Sequence, residues 1–495
     1  MNTYLGQKGY TISKNELTVE QQKKIKEDLS IKPYVPGAPG STNITTFPAY
    51  RESSNKMYVP HYYGVEHFGK PKQLKISEGA NIDIEFAGTL REGQIPVVET
   101  YVNHVKNYGY GGGLLELPCA FGKTCLALNI ISQLKKKTFI IVHKEFLMNQ
   151  WIERIQQFLP GAKIGKIQGQ IIDIENKDIV IGMLQSLSMK EYDAAIFESF
   201  GLTIIDEVHH ISSEVFSNSL FKLVTKYMLG LSATMNRKDG TTHVFKMFLG
   251  NVIFKGKRDE ERNVIVRAID YFVNDEEFNE VKTDFRGNTA FSTMISKLCE
   301  YNRRSEFILL VLGDMLVENP KQQIMILAHN KNLLKYLYDA IDSRKMATVG
   351  YYVGGMKEAA LKETETKQIV IATYSMAAEA LDIKTLTTLI MATPKTDIEQ
   401  SVGRILREKH SQPVVVDIID SHDPFQKQWY KRKAFYKKEN YKIVHTKSAN
   451  YSADISKWRT IFEPNNKCTK EDELDTDSKD NLLVGKCLIK LLKKV

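Results

Sequence analysis

No apolar stretch in the chain is long enough to span a bilayer, and the first 30 residues are polar and lysine-rich, without the apolar core of a secretion signal. These absences point away from a secreted or membrane-spanning protein. Cysteine is scarce: Cys119, Cys125, Cys299, Cys468 and Cys487 stand singly in 495 residues, at spacings that form neither a disulfide framework nor a zinc cluster. A reducing compartment without a structural metal is expected, and Cys119 and Cys125 read as small residues at a tight turn. A net charge of +9 suits a polyanionic partner without proving one. The remaining composition, 42% apolar and 26% charged, is that of a globular protein with room for two to four domains.

Glycine is also short where it matters most. Residues 114–124, LLELPCAFGKT, read as an apolar strand, a small-residue turn and the start of a helix. Strand, loop and helix in this order aim backbone amides and a helix N-terminus at a polyanion, with Lys123 placed for β and γ phosphates and Thr124 for Mg²⁺. Leu117 stands where the first glycine of such a loop belongs, and Ala120 where another would ease the turn. Alone, the motif divides between a nucleotide site and a chance turn.

The following sequence favours the nucleotide. Short apolar runs at TFIIV, IVIGM, LTII and YMLGLS, separated by helix-like segments, imply an α/β sheet with helical crossovers. LTII ends in Asp206 and Glu207, at the carboxyl end of a strand where such sheets bind ligands. Asp206 is placed to hold Mg²⁺, and Glu207 to orient and polarise the attacking water. Ser232 and Thr234 of LSAT are expected to hydrogen-bond this acidic loop. A second α/β unit begins at KQQIMILA and contains ATYSMAAEALDI and TDIEQSVGRILREK. Arg404 and Arg407 lie three residues apart on one face of the last segment, placed to neutralise charge on a triphosphate held by the other domain.

The flanks are ambiguous. In HYYGVEHFG and just before it, Tyr58, His61, Tyr62 and Tyr63 are readable as base-stacking rings or as packing against the next domain. QKQWYKRKAFYKKENYKI mixes lysines with Trp429, Tyr430, Phe435, Tyr436 and Tyr441, fitting a nucleic-acid surface or a docked amphipathic helix equally. TKEDELDTDSKD reads as an acidic linker, followed by a short basic helix.

The ordered set LPCAFGKT, DEVHH, SAT, ATYSMAAEALDI and QSVGRILR resembles the superfamily 2 helicases, most closely the DEAH-like branch with XPB, UvsW and the transcript-release helicases of large DNA viruses. The resemblance implies an α/β fold of two tandem RecA-like domains with parallel sheets, an N-terminal region and a C-terminal extension. It implies an ATP hydrolase moving on DNA or RNA, with ATP and Mg²⁺ as cofactors. A remodelling or transcript-release ATPase that separates no duplex is the alternative; a decayed motor acting as a scaffold and a restriction-type motor subunit are weaker ones. The expected divisions are 1–79, an accessory region; 80–255, the ATP-binding domain; 256–320, a linker and helical segment; 321–430, the second RecA-like domain; and 431–495, the extension.

Carried over by resemblance, Gln94 braces or reads the adenine side. Pro118, Cys119, Ala120, Phe121, Gly122, Lys123 and Thr124 form the nucleotide loop, with Thr124 and Asp206 on the metal. Glu207 serves the hydrolytic water, and His209 couples to the second domain through Gln400. Asp382 meets the ribose or phosphate region, and Arg404 and Arg407 are the finger arginines. His143, Lys144, Gln168, Gly169, Gln185, Thr373 and Tyr374 match positions near motifs that track the strand. Expected partners are nucleic acid, through its backbone, and proteins of transcription, repair or replication; no membrane is expected, and the oligomeric state stays open. An intracellular, soluble setting follows, with cytoplasm, nucleus and viral factory or virion not separated.

Overall fold

The computed structural model describes residues 1–34, 46–210, 213–235, 237, 239–256, 263–285, 287–379, 383–408 and 410–464. Two eight-stranded sheets dominate it. The first runs in the order Ile171–Asp173, Ile164–Gln168, Ile179–Met183, Thr138–Val142, Leu202–Ile205, Tyr227–Ser232, Gly111–Glu116 and Val252–Lys255. Every pairing in it is parallel except that of Ile171–Asp173 at the edge. Its central strands are buried throughout, Thr138–Val142 and Leu202–Ile205 included, because helices cover both faces and no position is left for the polar half of an alternating pattern.

The second sheet runs Val349–Tyr352, Ile369–Thr373, Gln323–Ala328, Leu386–Met391, Val414–Asp420, Ile265–Tyr271, Lys442–Lys447 and Arg459–Phe462. Only the last pairing is antiparallel. The α/β class with two parallel-rich sheets is therefore as expected. The second sheet is wider than the division 321–430, since it takes Ile265–Tyr271 from the segment read as linker and Lys442–Lys447 and Arg459–Phe462 from the segment read as extension. The physical reason lies in VIVRAIDY and KIVHTK. Ile265–Tyr271 pairs with Val414–Asp420 on one side and Lys442–Lys447 on the other, a central place its β-branched residues fit.

The basic aromatic segment is a docked helix, Asp423–Lys438, with Phe425, Trp429, Arg432 and Tyr436 buried. Arg432 donates to both carboxylate oxygens of Asp417 at 2.8 Å, and the Tyr436 hydroxyl donates to the same carboxylate at 3.0 Å. A second buried pair, Arg304 with Asp420, closes at 2.6 and 2.8 Å. The acidic linker and the terminal basic helix expected from sequence lie outside the described residues.

Five short strands near the N-terminus form a third sheet, in the order Arg51–Glu52, Lys56–Val59, Gly9–Ser13, Thr3–Gly6 and Gln73–Leu74. The helix His61–Phe68 lies against it, so close that a Cβ on Gly64 would meet the Tyr10 ring at 2.2 Å. His61 and Tyr63 are buried, and the Tyr62 hydroxyl donates to the Gly112 carbonyl at 2.9 Å and accepts from its amide at 2.7 Å. Tyr62 and His61 pack against the first large sheet at Tyr110–Gly112, whereas Tyr63 stacks on His67 and its hydroxyl donates to Asp28 at 3.0 Å within the N-terminal region. Among the described residues, no helix is long and apolar enough to cross a membrane.

Candidate active site

The loop between Gly111–Glu116 and the helix Lys123–Leu134 holds its turn by backbone conformations that few residues accept. Ala120 has φ of 65° and Gly122 φ of 92°, the left-handed region that a side chain makes costly. Gly122 has a second reason to be glycine: a Cβ there would meet the Gln94 amide nitrogen at 2.5 Å. Gln94, 4% exposed, accepts from the Arg91 amide at 2.9 Å and donates to the Phe121 carbonyl at 2.7 Å. Arg91 adds a donor to the same carbonyl at 2.6 Å. Gln94 thus clamps the loop from behind. Leu117 is fully buried, so the residue replacing the usual glycine anchors the start of the loop in the core.

Lys123 reaches across to Glu207 at 2.7 Å. Burial works against its charge, but the attraction of Glu207, Cys119 and Asp206 outweighs that cost, and the pKa lies above its ordinary value. The pKa of Asp206, 7% exposed, rises too, which in a carboxylate disfavours the charged form. Burial first and the neighbouring Glu207 charge second push its pKa to about 6, although Lys123 and a 2.9 Å hydrogen bond from the Trp151 indole oppose the shift. Glu207 sits at φ 49°. His209 Nδ1 lies 3.4 Å from the Glu207 carboxylate and 2.5 Å from the Ser232 hydroxyl, so LSAT does engage the acidic loop. The other ring nitrogen faces the Gln400 amide at 3.4 Å, a contact between the two large sheets.

A cleft of about 310 Å³ joins these groups. From the first sheet come Cys119, Ala120, Gly122, Lys123, Thr124, Asp206 and Glu207; from the second come Gln400, Gly403, Arg404 and Arg407. Gln400 belongs to a short helix, Glu399–Val402, and Arg404 to the tighter turn Gly403–Leu406 that continues it. Three residues per turn keep Arg404 and Arg407 on one side. At the seam a Cβ on Gly403 would meet Cys119 Cβ at 2.6 Å, so the second domain rests directly on the phosphate loop there. Burial raises the Cys119 thiol pKa, which fits a packing residue. Asp382 lies outside the described residues.

The cleft has walls that sequence reasoning missed. Gln150, Arg154 and Phe158 line it from one face of the helix Glu145–Phe158, at the i, i+4, i+8 spacing that was the available signal. Lys384 lines it from the second domain. Of the positions matched to strand-tracking motifs, His143 lines this same cleft, and Tyr374 is buried with its hydroxyl donating to the Thr393 carbonyl at 2.5 Å. Gln185 donates to the His143 carbonyl at 3.0 Å and Gln168 to Glu145 at 3.0 Å. Lys144 stands next to that pair as the residue before the helix. The Gly169 amide donates to the Ser186 hydroxyl at 3.0 Å, and the Thr373 hydroxyl lies 3.3 Å from that of Ser375.

Comparison with known proteins now bears on the chain. Residues 87–237 match the family described as the type III restriction enzyme res subunit. A protein of Acanthamoeba polyphaga mimivirus named as an ATP-dependent RNA helicase is 36% identical over 447 residues, covering 88% of this chain and 85% of its own. An African swine fever virus protein named the same way is 29% identical over 389 residues, 72% of this chain and 74% of its own. The solved structure of T4 UvsW covers 88% of this chain and 97% of that one, at 17% identity and a TM-score of 0.34. The chain belongs to the helicase family represented by these viral proteins, within superfamily 2.

Proposed function

We propose that the protein is a nucleic-acid-stimulated ATPase that turns hydrolysis into movement along a strand, as a helicase or translocase. The observation carrying this reading is one cleft lined by Lys123, Asp206 and Glu207 from the first sheet and by Gln400, Arg404 and Arg407 from the second. Only a closed pair of domains assembles that set.

Lys123 and the loop amides hold the β and γ phosphates. An incoming γ phosphate competes for the ammonium now paired with Glu207, releasing that carboxylate to receive a proton from the attacking water. Water oxygen bonds to the γ phosphorus, the bond to the ADP oxygen breaks, and Arg404 and Arg407 neutralise the charge spread in the transition state. His209, between Glu207 and Gln400, relays the state of the acidic loop to the second domain. Hydrolysis removes the anion that held the arginines, so the domains part and grip the strand in turn.

Asp206 and the Thr124 hydroxyl offer hard oxygen donors, and a carboxylate whose charge is poorly compensated by its surroundings suits a cation. This donor set fits Mg²⁺, an ion taken by one or two carboxylates together with substrate phosphates. Held by Asp206 and the Thr124 hydroxyl, such an ion would supply positive charge beside the phosphates that Lys123 binds. The names of the two viral relatives favour RNA as the strand. Glu207→Gln is expected to bind ATP with little change and to lose hydrolysis by about a hundredfold or more; full turnover in that variant overturns the reading.

A further inference from the structure

Cross-strand register gathers a second set of groups far from the cleft, on the N-terminal sheet. Arg51 stands opposite Tyr58, Tyr58 opposite Thr11, Thr11 opposite Tyr4, and Tyr4 beside Gln73, so this row shares one face. The alternate residues, Leu5, Tyr10, Ile12, Met57 and Val59, are buried on the other face, which the helix His61–Phe68 covers. The row of tyrosines is therefore the outward face, and Arg51 at its edge turns back to Asn218 and to the Phe221 ring of the first large domain. Thr11 between them is only 1% exposed, which fits a residue roofed by the two rings.

Three lysines surround the rings. Lys75 Nζ lies 4.5 Å and Lys56 Nζ 5.4 Å from the centre of the Tyr4 ring, and Lys8 Nζ lies 5.5 Å from that of Tyr58. All three are exposed, and none has a carboxylate partner among the described residues. Lys56 also donates to the Tyr4 hydroxyl at 3.2 Å, and such contacts at exposed sites are weak and easily exchanged. Two rings two strands apart, about 10 Å, with unneutralised cations at their rims, match a polyanion carrying flat apolar faces at intervals. Single-stranded nucleic acid has both features, whereas a duplex keeps its bases stacked inside. The sheet holds its shape through Gly64 and is tied to the first motor sheet through Tyr62.

We propose that this face is a stacking platform for single-stranded nucleic acid outside the motor cleft, with Tyr4 and Tyr58 taking bases and Lys8, Lys56 and Lys75 their phosphates. The proposal extends the motor reading, because the strand it grips is the one on which the motor acts. The test is photocrosslinking of the full chain, without ATP, to a single strand carrying 5-iodouracil, with peptide mapping, beside affinity for the same strand and for a duplex.

Crosslinks at Tyr4 or Tyr58, and a loss of about tenfold or more in single-strand affinity in the Tyr4→Ala/Tyr58→Ala double variant, are expected. Tyr4→Phe/Tyr58→Phe retains binding, and the thermal melting of both variants reports intact folding. Crosslinks confined to the two large sheets, with unchanged affinity in the alanine variant, overturn the proposal and leave a protein as the occupant. Equal weakening for strand and duplex also overturns it, since the face is then a backbone track. Crosslinks here in a protein with no ATP turnover sink the motor reading alone. Stimulated turnover with no crosslinks here sinks the platform alone.

Discussion

At the residue scale the site is a set of charges held at a cost until nucleotide arrives. Asp206 is the clearest case. Its pKa rises from 3.8 to about 6 on folding, so between those values the folded chain binds more protons than the unfolded one. Its contribution to the stability of the nucleotide-free protein therefore falls as pH rises through that window. Asp206→Asn is expected to abolish hydrolysis and yet stabilise the nucleotide-free protein at neutral pH, on the order of 1 kcal/mol, with the gain fading towards pH 4. Urea unfolding against pH checks this, and a destabilised variant contradicts it. Gln94, Lys123 and Glu207 were readable because their chemistry is tied to sequence order around a strand end. The Trp151 hydrogen bond to Asp206 was not, because an indole 55 positions away reads only as a core residue until the fold brings it there. Ala120 was noted as a departure, but its left-handed backbone is a property of the turn and not of the residue name.

At the element scale the two domains meet through a few specific surfaces. Gly403 on Cys119 is one. Gly403→Ala is expected to wedge the cleft and reduce kcat/KM for ATP by about tenfold or more. Cys119→Gly in the same chain removes the atom that clashes, and its failure to restore turnover contradicts the packing explanation. The helix Glu145–Phe158 supplies another surface. One of its faces lines the cleft with Gln150, Arg154 and Phe158; another reaches the helix Glu358–Glu365, where Glu153 pairs with Lys362 at 3.0 Å and Asn149 donates to Glu358 at 3.1 Å. Both partners of the ion pair are more than half exposed, so the pair contributes no more than about 1 kcal/mol, suitable for a contact made and broken in each cycle. Glu153→Lys is expected to shift the nucleotide-free protein towards an open cleft, measured by energy transfer between dyes on the two domains, and Lys362→Glu in the same chain to restore closure. An unaltered distance distribution in Glu153→Lys contradicts this. Helical periodicity marked the apolar stripe of Glu145–Phe158, but which partner each polar face meets is set by the assembled domains.

At the scale of the whole molecule, the motif residues Lys123, Asp206, Glu207, Gln400, Arg404 and Arg407 line one cleft, whereas the second sheet draws strands from outside residues 321–430. The apolar runs TFIIV, LTII and QIMILA announce buried parallel strands wherever they occur. Ile265–Tyr271 and Lys442–Lys447 gave weaker signals, because their neighbours are charged and turn-rich; their membership of the second sheet depends on pairing with each other across more than a hundred residues. The buried Arg432–Asp417 and Arg304–Asp420 pairs fasten the helices Asp423–Lys438 and Asn302–Glu318 to the strand Val414–Asp420 of the same sheet. Asp417→Ala leaves the Arg432 charge uncompensated and is expected to destabilise the second domain by about 3–5 kcal/mol. In urea its transition moves to lower denaturant while that of the first domain stays in place, and a shift of both together contradicts independent cores.

The central claim, one motor made of two sheets and driven by a strand, is tested most directly by ATP turnover at low salt, titrated with single-stranded RNA, single-stranded DNA and duplex, in wild type and in Arg404→Ala. The account predicts saturable stimulation of the wild type by at least one of these strands, and a fall of about a thousandfold in stimulated turnover when the arginine from the second sheet is removed. Turnover indifferent to every nucleic acid, or undiminished in Arg404→Ala, contradicts it.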